Sequence, residues 1–302
     1  MKKIELICNK ILLKSKDDDV NFIDWLHYVK DHEYLVKKYD ADQFKFLRIF
    51  KNIILYLTKN IKNLFLNSSK FEISKNNIDF MIISHKLNNN LTLKDFYYGD
   101  IKKFLKKKKI KFEMFFFSHI KSQSEKNIIN HASFIEKINI FFYITFKFII
   151  LLIFSKSYLG KINFKLKLKI ASEFLSPKTF ENFIIFKNLQ KISKAKKIKN
   201  LVTFFEGFSY ERIIFFSFKK LKLKTNLLGY QHASIIRSQN GIFRKLKKEF
   251  NPDVILTSGQ VTKKILKRYY PSRSIYILGS NKVSSNLIKR EKSQKNVDAV
   301  ND

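Results

Sequence analysis

Between Leu201 and Leu278 the chain alternates short apolar runs with helical segments, and glycine or small polar residues follow each run. Leu201 to Phe205 (LVTFF) reads as a strand ending at Glu206-Gly207. Ser209 then opens a helix over 210–220, with Glu211 and Arg212 in its first turn. Thr225 to Tyr230 (TNLLGY) is the next strand, ended by Gln231-His232-Ala233. A basic loop with Arg237 and Arg244 leads to Pro252-Asp253 and the strand Val254 to Thr257, ended by Ser258-Gly259. Gln260 to Tyr269 is a helix, Pro271 stops it, and Ser274 to Leu278 is a last strand ended by Gly279-Ser280. Near-continuous apolar runs belong to strands covered on both faces, and strands separated by helices pair in parallel. The sequence therefore predicts an α/β fold with a Rossmann-like parallel sheet, or sheets, and flanking helices.

The two thirds before this region carry weaker signals of the same kind. Leu35, Phe44, Leu47, Phe50, Ile54, Leu57, Ile61 and Leu64 recur at helical spacing. Ile78 to Ser84 and Ile110 to Phe117 read as strands around a helix from Asp95 to Lys109, a βαβ unit. Ser176-Pro177 starts a helix that runs to about Ala195, through a capping hydroxyl and a proline at the first helical position. Ile138 to Phe154 is nearly all apolar. It is shorter than the roughly 20 residues a spanning helix needs, and a lysine near the centre of a span costs about 2.5–3.5 kcal/mol. Lys147 sits there. The expectation is a hydrophobic helix that is buried or faces a membrane, and the lysines at 156, 161, 165, 167 and 169 suit an anionic lipid surface.

Composition narrows the class. Seven Gly and three Pro in 302 residues exclude collagen-like and Pro-rich architectures and argue against a sandwich of many tight turns. With 32 Phe and 13 Tyr the chain has the means to bury a core. Cys8 is the one cysteine, so neither an internal disulfide nor a Cys-based zinc cluster is expected, and a reducing, cytoplasmic compartment is. Ile4 to Leu13 is broken by Glu5, Asn9 and Lys10 and does not read as a signal peptide. Sixty Lys and Arg against 25 Asp and Glu give a net charge of +35. The lysines are scattered, rise together with Asn, Ile and Phe as A/T-rich codons dictate, and form no nucleic-acid-binding motif. Sugar phosphates or an anionic membrane fit the charge, and nucleic acid is not the expected partner.

Ligands of parallel α/β sheets bind beyond the carboxyl ends of the strands. Glu206, Gly207, His232, Ser258, Gly259, Gly279 and Ser280 all fall there. His85 and His119 also follow strands. Glu206, Glu211, Arg212 and His232 would meet at one rim if their strands are neighbours, and a carboxylate beside an imidazole performs acid–base work. The alternative is that Glu211 complements the helix dipole, Arg212 is its surface neighbour and His232 is a hydrogen-bonded core residue. No metal is expected, since Asp17-Asp18-Asp19 lies far from these units.

Three strings in this region, Phe205 to Arg212 (FEGFSYER), Gly229 to Ala233 (GYQHA) and Pro252 to Gly259 (PDVILTSG), resemble those of bacterial surface-carbohydrate biosynthesis proteins. These are GT-B-like glycosyltransferases of capsule or lipopolysaccharide assembly. The resemblance covers about residues 200–280. It implies an acceptor-side Rossmann-like domain over residues 1–250, containing the hydrophobic helix 138–154. A second, nucleotide-side domain would start at 251–280 and be incomplete, followed by a polar disordered tail, 281–302. It implies sugar transfer from a nucleotide-sugar co-substrate to a glycan or lipid-linked acceptor, without a cofactor. Glu206, Glu211 and His232 would be catalytic. Arg212, Gln231, Arg237, Gly207, Ser258, Gly259, Gly279 and Ser280 would bind substrate. Glu206 or Glu211 would deprotonate the acceptor, and His232 with Arg212 or Arg237 would stabilise the departing phosphate. The protein would be cytoplasmic, peripheral at the inner membrane. A shortened second domain leaves activity of the chain alone an open expectation. A non-catalytic membrane-associated scaffold and a basic nucleic-acid-binding protein are the alternatives.

Overall fold

The computed structural model describes residues 46–65, 75–85, 97–117, 126–129, 132–159, 174–232, 241–243 and 248–279, with positions 73, 95, 164, 168, 171, 172, 235 and 246. Cys8, the Asp17–Asp19 run, His119, Arg237, Ser280 and the tail 281–302 lie outside the described residues.

In chain order the elements are α1 (Phe46–Leu64), β1 (Ile78–His85), α2 (Ile101–Lys107), β2 (Phe112–Phe117), α3 (Phe134–Leu159) and α4 (Pro177–Ala195). They continue with β3 (Ile198–Phe204), α5 (Ser209–Lys220), β4 (Asn226–Gln231), β5 (Val254–Thr257), α6 (Gln260–Tyr269) and β6 (Ser274–Ile277). The six strands form one sheet in the order β2-β1-β3-β4-β5-β6, and every pairing is parallel. This is the α/β, Rossmann-like architecture expected from the alternating pattern. The strand order turns back between β1 and β3, which is the switch point where doubly wound sheets open a crevice.

Side chains alternate between the faces, as the period of a strand requires. Met81, Ile83, Leu201, Phe205, Leu227 and Ile255 join one core with Phe180, Ile184 and Leu189 of α4 and Ile213 and Ile214 of α5. Ile82, Val202, Phe204 and Tyr230 join the other, against Tyr98 and Leu105. Helix α4 is buried nearly all round, because α1 and α3 form a further layer over it. Its Asn188 donates to the Ile128 carbonyl at 2.6 Å, and Asn60 of α1 donates to the Leu175 carbonyl at 2.7 Å, so the NH2 groups of both buried side chains are engaged.

Several boundaries differ from the sequence reading. Helix α2 starts at Ile101, not Asp95, because the Asp95 carboxylate accepts the Tyr97 and Tyr98 amides and Gly99 takes a positive φ of 57°. Strand β3 starts at Ile198, three residues early: Ile198 is buried opposite Ile78, while Lys199 points out to Asp79 at 2.6 Å. Helix α3 is longer than 138–154. Its start is set by a capping box in which Ser133 accepts the Glu136 amide at 3.3 Å and Glu136 accepts the Ser133 amide at 2.9 Å. The boundary expected after residue 250 is not a break: β5 pairs with β4, Leu228 opposite Val254, so residues 254–277 extend the same sheet rather than opening a second one.

Candidate functional site

Register brings the site together. Phe204 of β3 lies opposite Tyr230 of β4, so the residues two further on, Glu206 and His232, emerge side by side at the carboxyl edge. His232 Nδ1 is 3.0 Å from Glu206 Oε1, and the two side chains keep 17% and 14% of their surface exposed. The contact has ion-pair distance without hydrogen-bond alignment. Catalytic pairs commonly align only when substrate is in place. Tyr97 stands edge-on to the His232 ring at 4.7 Å, and Phe204 packs on it at 5.3 Å.

A second polar chain borders the pair. His85, the last residue of β1, has Nε2 2.6 Å from the Tyr210 hydroxyl and stacks on Phe204 at 5.4 Å. The Tyr210 hydroxyl donates to Glu211 Oε1 at 3.3 Å. His85 and Tyr210 thus fill the switch point between β1 and β3 from inside, and Glu206 and His232 lie one strand further along. Burial pushes the Tyr210 hydroxyl well above the usual phenol range, and the Glu211 and Glu206 charges add to it. Burial, then Glu206 and Asp95, raises Tyr97 in the same direction. Both phenols therefore stay protonated at neutral pH. Sequence reasoning missed Tyr97 and Tyr210: the first follows no strand, and the second reads as an ordinary helix residue.

Glu211 is fully buried. Its Oε2 accepts the backbone N–H groups of Glu206 at 2.8 Å, Gly207 at 2.8 Å and Phe208 at 3.0 Å. Those amides form the anion-binding turn at the start of α5, where a phosphate would sit in many Rossmann-like folds. Here the protein's own carboxylate occupies it. Glu211 therefore positions Glu206 and has no path to an acceptor hydroxyl, which separates it from the catalytic role expected for it. Gly207 shapes the same turn. Its φ is +93°, and a Cβ would lie 2.2 Å from the Gly241 carbonyl carbon. It packs closely on the Gly241 and Ile242 backbone.

Arg212 is also internal, at 1% exposure. It donates to Asn251 Oδ1, to the Gly241 carbonyl at 3.0 Å and to the Phe250 and Ile242 carbonyls at 3.4 Å each, with its guanidinium over the Phe205 ring. The expected substrate-binding arginine is thus a staple between α5 and residues 241–251. The Gln231 side chain is buried at the end of β4. Ser258 and Gly259 follow β5, and Gly279 follows β6, on the same edge as Glu206 and His232. Gly259 has extended backbone and open space around it at the start of α6. Gly279 has a φ of +91° and accepts the Tyr230 hydroxyl at 2.8 Å. Among the described residues no group of three or more metal-binding side chains comes together.

The opposite, amino edge holds a concavity of about 990 Å³ lined by seven lysines, among them Lys111, Lys197 and Lys224, against the single carboxylate Asp79. All helix C-termini of a parallel α/β fold point to this edge, and lysines there complement the helix dipoles.

Compared with known protein families, curated proteins and solved structures, the chain matches none of them. The site must be judged on its own chemistry. A partly exposed carboxylate–imidazole pair, ringed by aromatic side chains at the carboxyl edge of a parallel sheet, is equipped to take a proton from a hydroxyl. Once aligned, a carboxylate at Nδ1 favours the tautomer that carries its lone pair on Nε2.

Proposed function

We propose that the chain is a glycosyltransferase-like protein of bacterial surface-polysaccharide assembly, capsule or lipopolysaccharide. In this reading it moves a sugar from a nucleotide-sugar donor to a glycan or lipid-linked acceptor. The observation that carries the reading is the Glu206–His232 pair at the carboxyl edge, 3.0 Å apart and reachable from solvent. His232, oriented by Glu206, takes the acceptor's hydroxyl proton. The acceptor oxygen bonds to the anomeric carbon, the bond from that carbon to phosphate breaks, and the nucleotide leaves with the electron pair. Open space at Gly259, before the first turn of α6, supports a place for the leaving phosphate along the same edge. Tyr97, edge-on to His232 and partly exposed, supplies an apolar wall for a sugar ring.

Calorimetry with CMP-, UDP- and GDP-linked sugars tests it. Micromolar binding to one donor class, weakened at least about tenfold by Gly259→Trp, which fills the open space, is the expected outcome; a tenfold loss is 1.4 kcal/mol. Absence of binding to every donor would favour the non-catalytic, membrane-associated reading, which the exposed apolar helix face also supports.

A further inference from the structure

Helix α3 is apolar on every side, yet only one side is covered. Ile140, Ile144 and Leu151 pack into the core, while Ile135, Phe142, Phe146, Ile149 and Ile153 stand exposed along one stripe, Phe142 at 65% and Ile153 at 63%. Their spacing of seven, four, three and four residues is that of a single helix face. Helix α1 packs beside α3 and repeats the arrangement: Ile49 is buried, and Leu47, Phe50, Ile54 and Ile61 are exposed. Phe65, just after α1, lies 6.0 Å from Phe134 at the start of α3, so the two stripes join. Thirteen of the twenty exposed large hydrophobic side chains among the described residues belong to α1, Phe65 or α3. Scattered exposed leucines need no explanation, but a joined patch of this extent marks an interface.

We infer that this joined face of α1 and α3 docks on an anionic lipid bilayer, lying in the interface between headgroups and acyl chains. Charge decides the occupant. Helix α1 has no Asp or Glu and presents Lys51, Lys59 and Lys62 among its apolar residues. The one carboxylate of α3 is Glu136, and Lys191 of α4 holds it at 2.6 Å. The Lys147 ammonium lies over the Tyr143 ring at 5.6 Å, and a lysine can cover apolar surface with its stem while its charge stays in water. A second copy docked face to face would bring these lysines against one another, with no free carboxylate on either helix to receive them. A bilayer containing anionic lipid accepts both the apolar stripe and the cations. The face lies in rather than through the bilayer: among the described residues no helix is long and apolar enough to cross it. The inference stands independently of sugar transfer, since it rests on a different surface from Glu206 and His232.

The test is flotation of the full chain with phosphatidylcholine vesicles, with and without phosphatidylglycerol. Three proteins are compared: wild type, a triple variant Phe142→Ser, Phe146→Ser, Ile153→Ser, and a double variant Lys51→Glu, Lys59→Glu. Wild type is expected on the anionic vesicles and not on the neutral ones. The triple variant should bind at least about tenfold more weakly. The double variant should lose roughly fivefold or more per lysine. Circular dichroism checks that each variant folds, and the lysine pair keeps the test decisive if the triple variant does not. Wild type that ignores anionic vesicles, or lysine variants that bind unchanged, overturns the inference. So does a dimer that the triple variant dissolves while vesicle binding is missing.

Discussion

At the scale of single residues, three side chains of one short string have three different jobs. Glu206 sits partly exposed beside His232, Glu211 ties down the turn that carries Glu206, and Arg212 fastens the helix to the Gly241 and Ile242 backbone. The sequence placed all three near one rim, because each follows a strand end or opens a helix. It did not separate them, because the partners of Arg212 lie 29 to 39 positions away. The separation is testable. Glu211→Ala leaves three turn amides without an acceptor, and each such loss costs about 1–3 kcal/mol when the group stays buried; thermal unfolding should show a large drop in stability. Glu206→Gln at the partly exposed rim should lower the melting temperature far less. Equal losses from both would refute the division. Gly207→Ala should destabilise as well, since its Cβ meets backbone that has no room to move aside.

At the scale of elements, the strands were legible and some helix starts were not. Continuous apolar runs such as IDFMIIS and LVTFF leave little alternative to a buried strand. The start of β3 was hidden in a lysine run, because a strand with one outward face accepts Lys199 there as readily as a loop would. The starts of α2 and α3 depend on Asp95 and Ser133 side chains bonding to nearby amides, a detail that hydrophobic periodicity does not carry. Ser133→Ala should cost about 1 kcal/mol through loss of the cap, read as a fall in the denaturation midpoint. Glu113 of β2 ties that strand to its surroundings. Burial alone would raise its pKa, but Lys126 at 2.7 Å and Lys196 outweigh it, and the net shift is downward from 4.5. A lowered folded-state pKa gives stability that is present above pH 4.5 and lost as pH falls through the folded value. Glu113→Gln should therefore be less stable than wild type at neutral pH and converge with it in acid; parallel melting curves at both pH values would contradict the assignment.

At the scale of the whole molecule, the two edges and one face of the sheet are differentiated. The carboxyl edge carries the Glu206–His232 pair, the amino edge gathers lysines, and α1 and α3 present the apolar layer. The parallel sheet follows from alternating strands and helices, whereas a domain boundary after residue 250 did not survive, because strand pairing across sequence gaps is invisible in local pattern. With residues 254–277 inside the sheet, the positions that the resemblance gives to a separate nucleotide domain share one edge with Glu206 and His232. The central claim is that Glu206 and His232 act as one unit on a hydroxyl. Turnover of the bound nucleotide sugar by wild type, Glu206→Gln, His232→Ala and the double variant tests it most directly. Loss of a general base costs about 10²–10⁴-fold, and residues acting together are not additive. The double variant should be no slower than the slower single variant. Single effects that multiply, or a His232→Ala protein with undiminished turnover, would contradict the account.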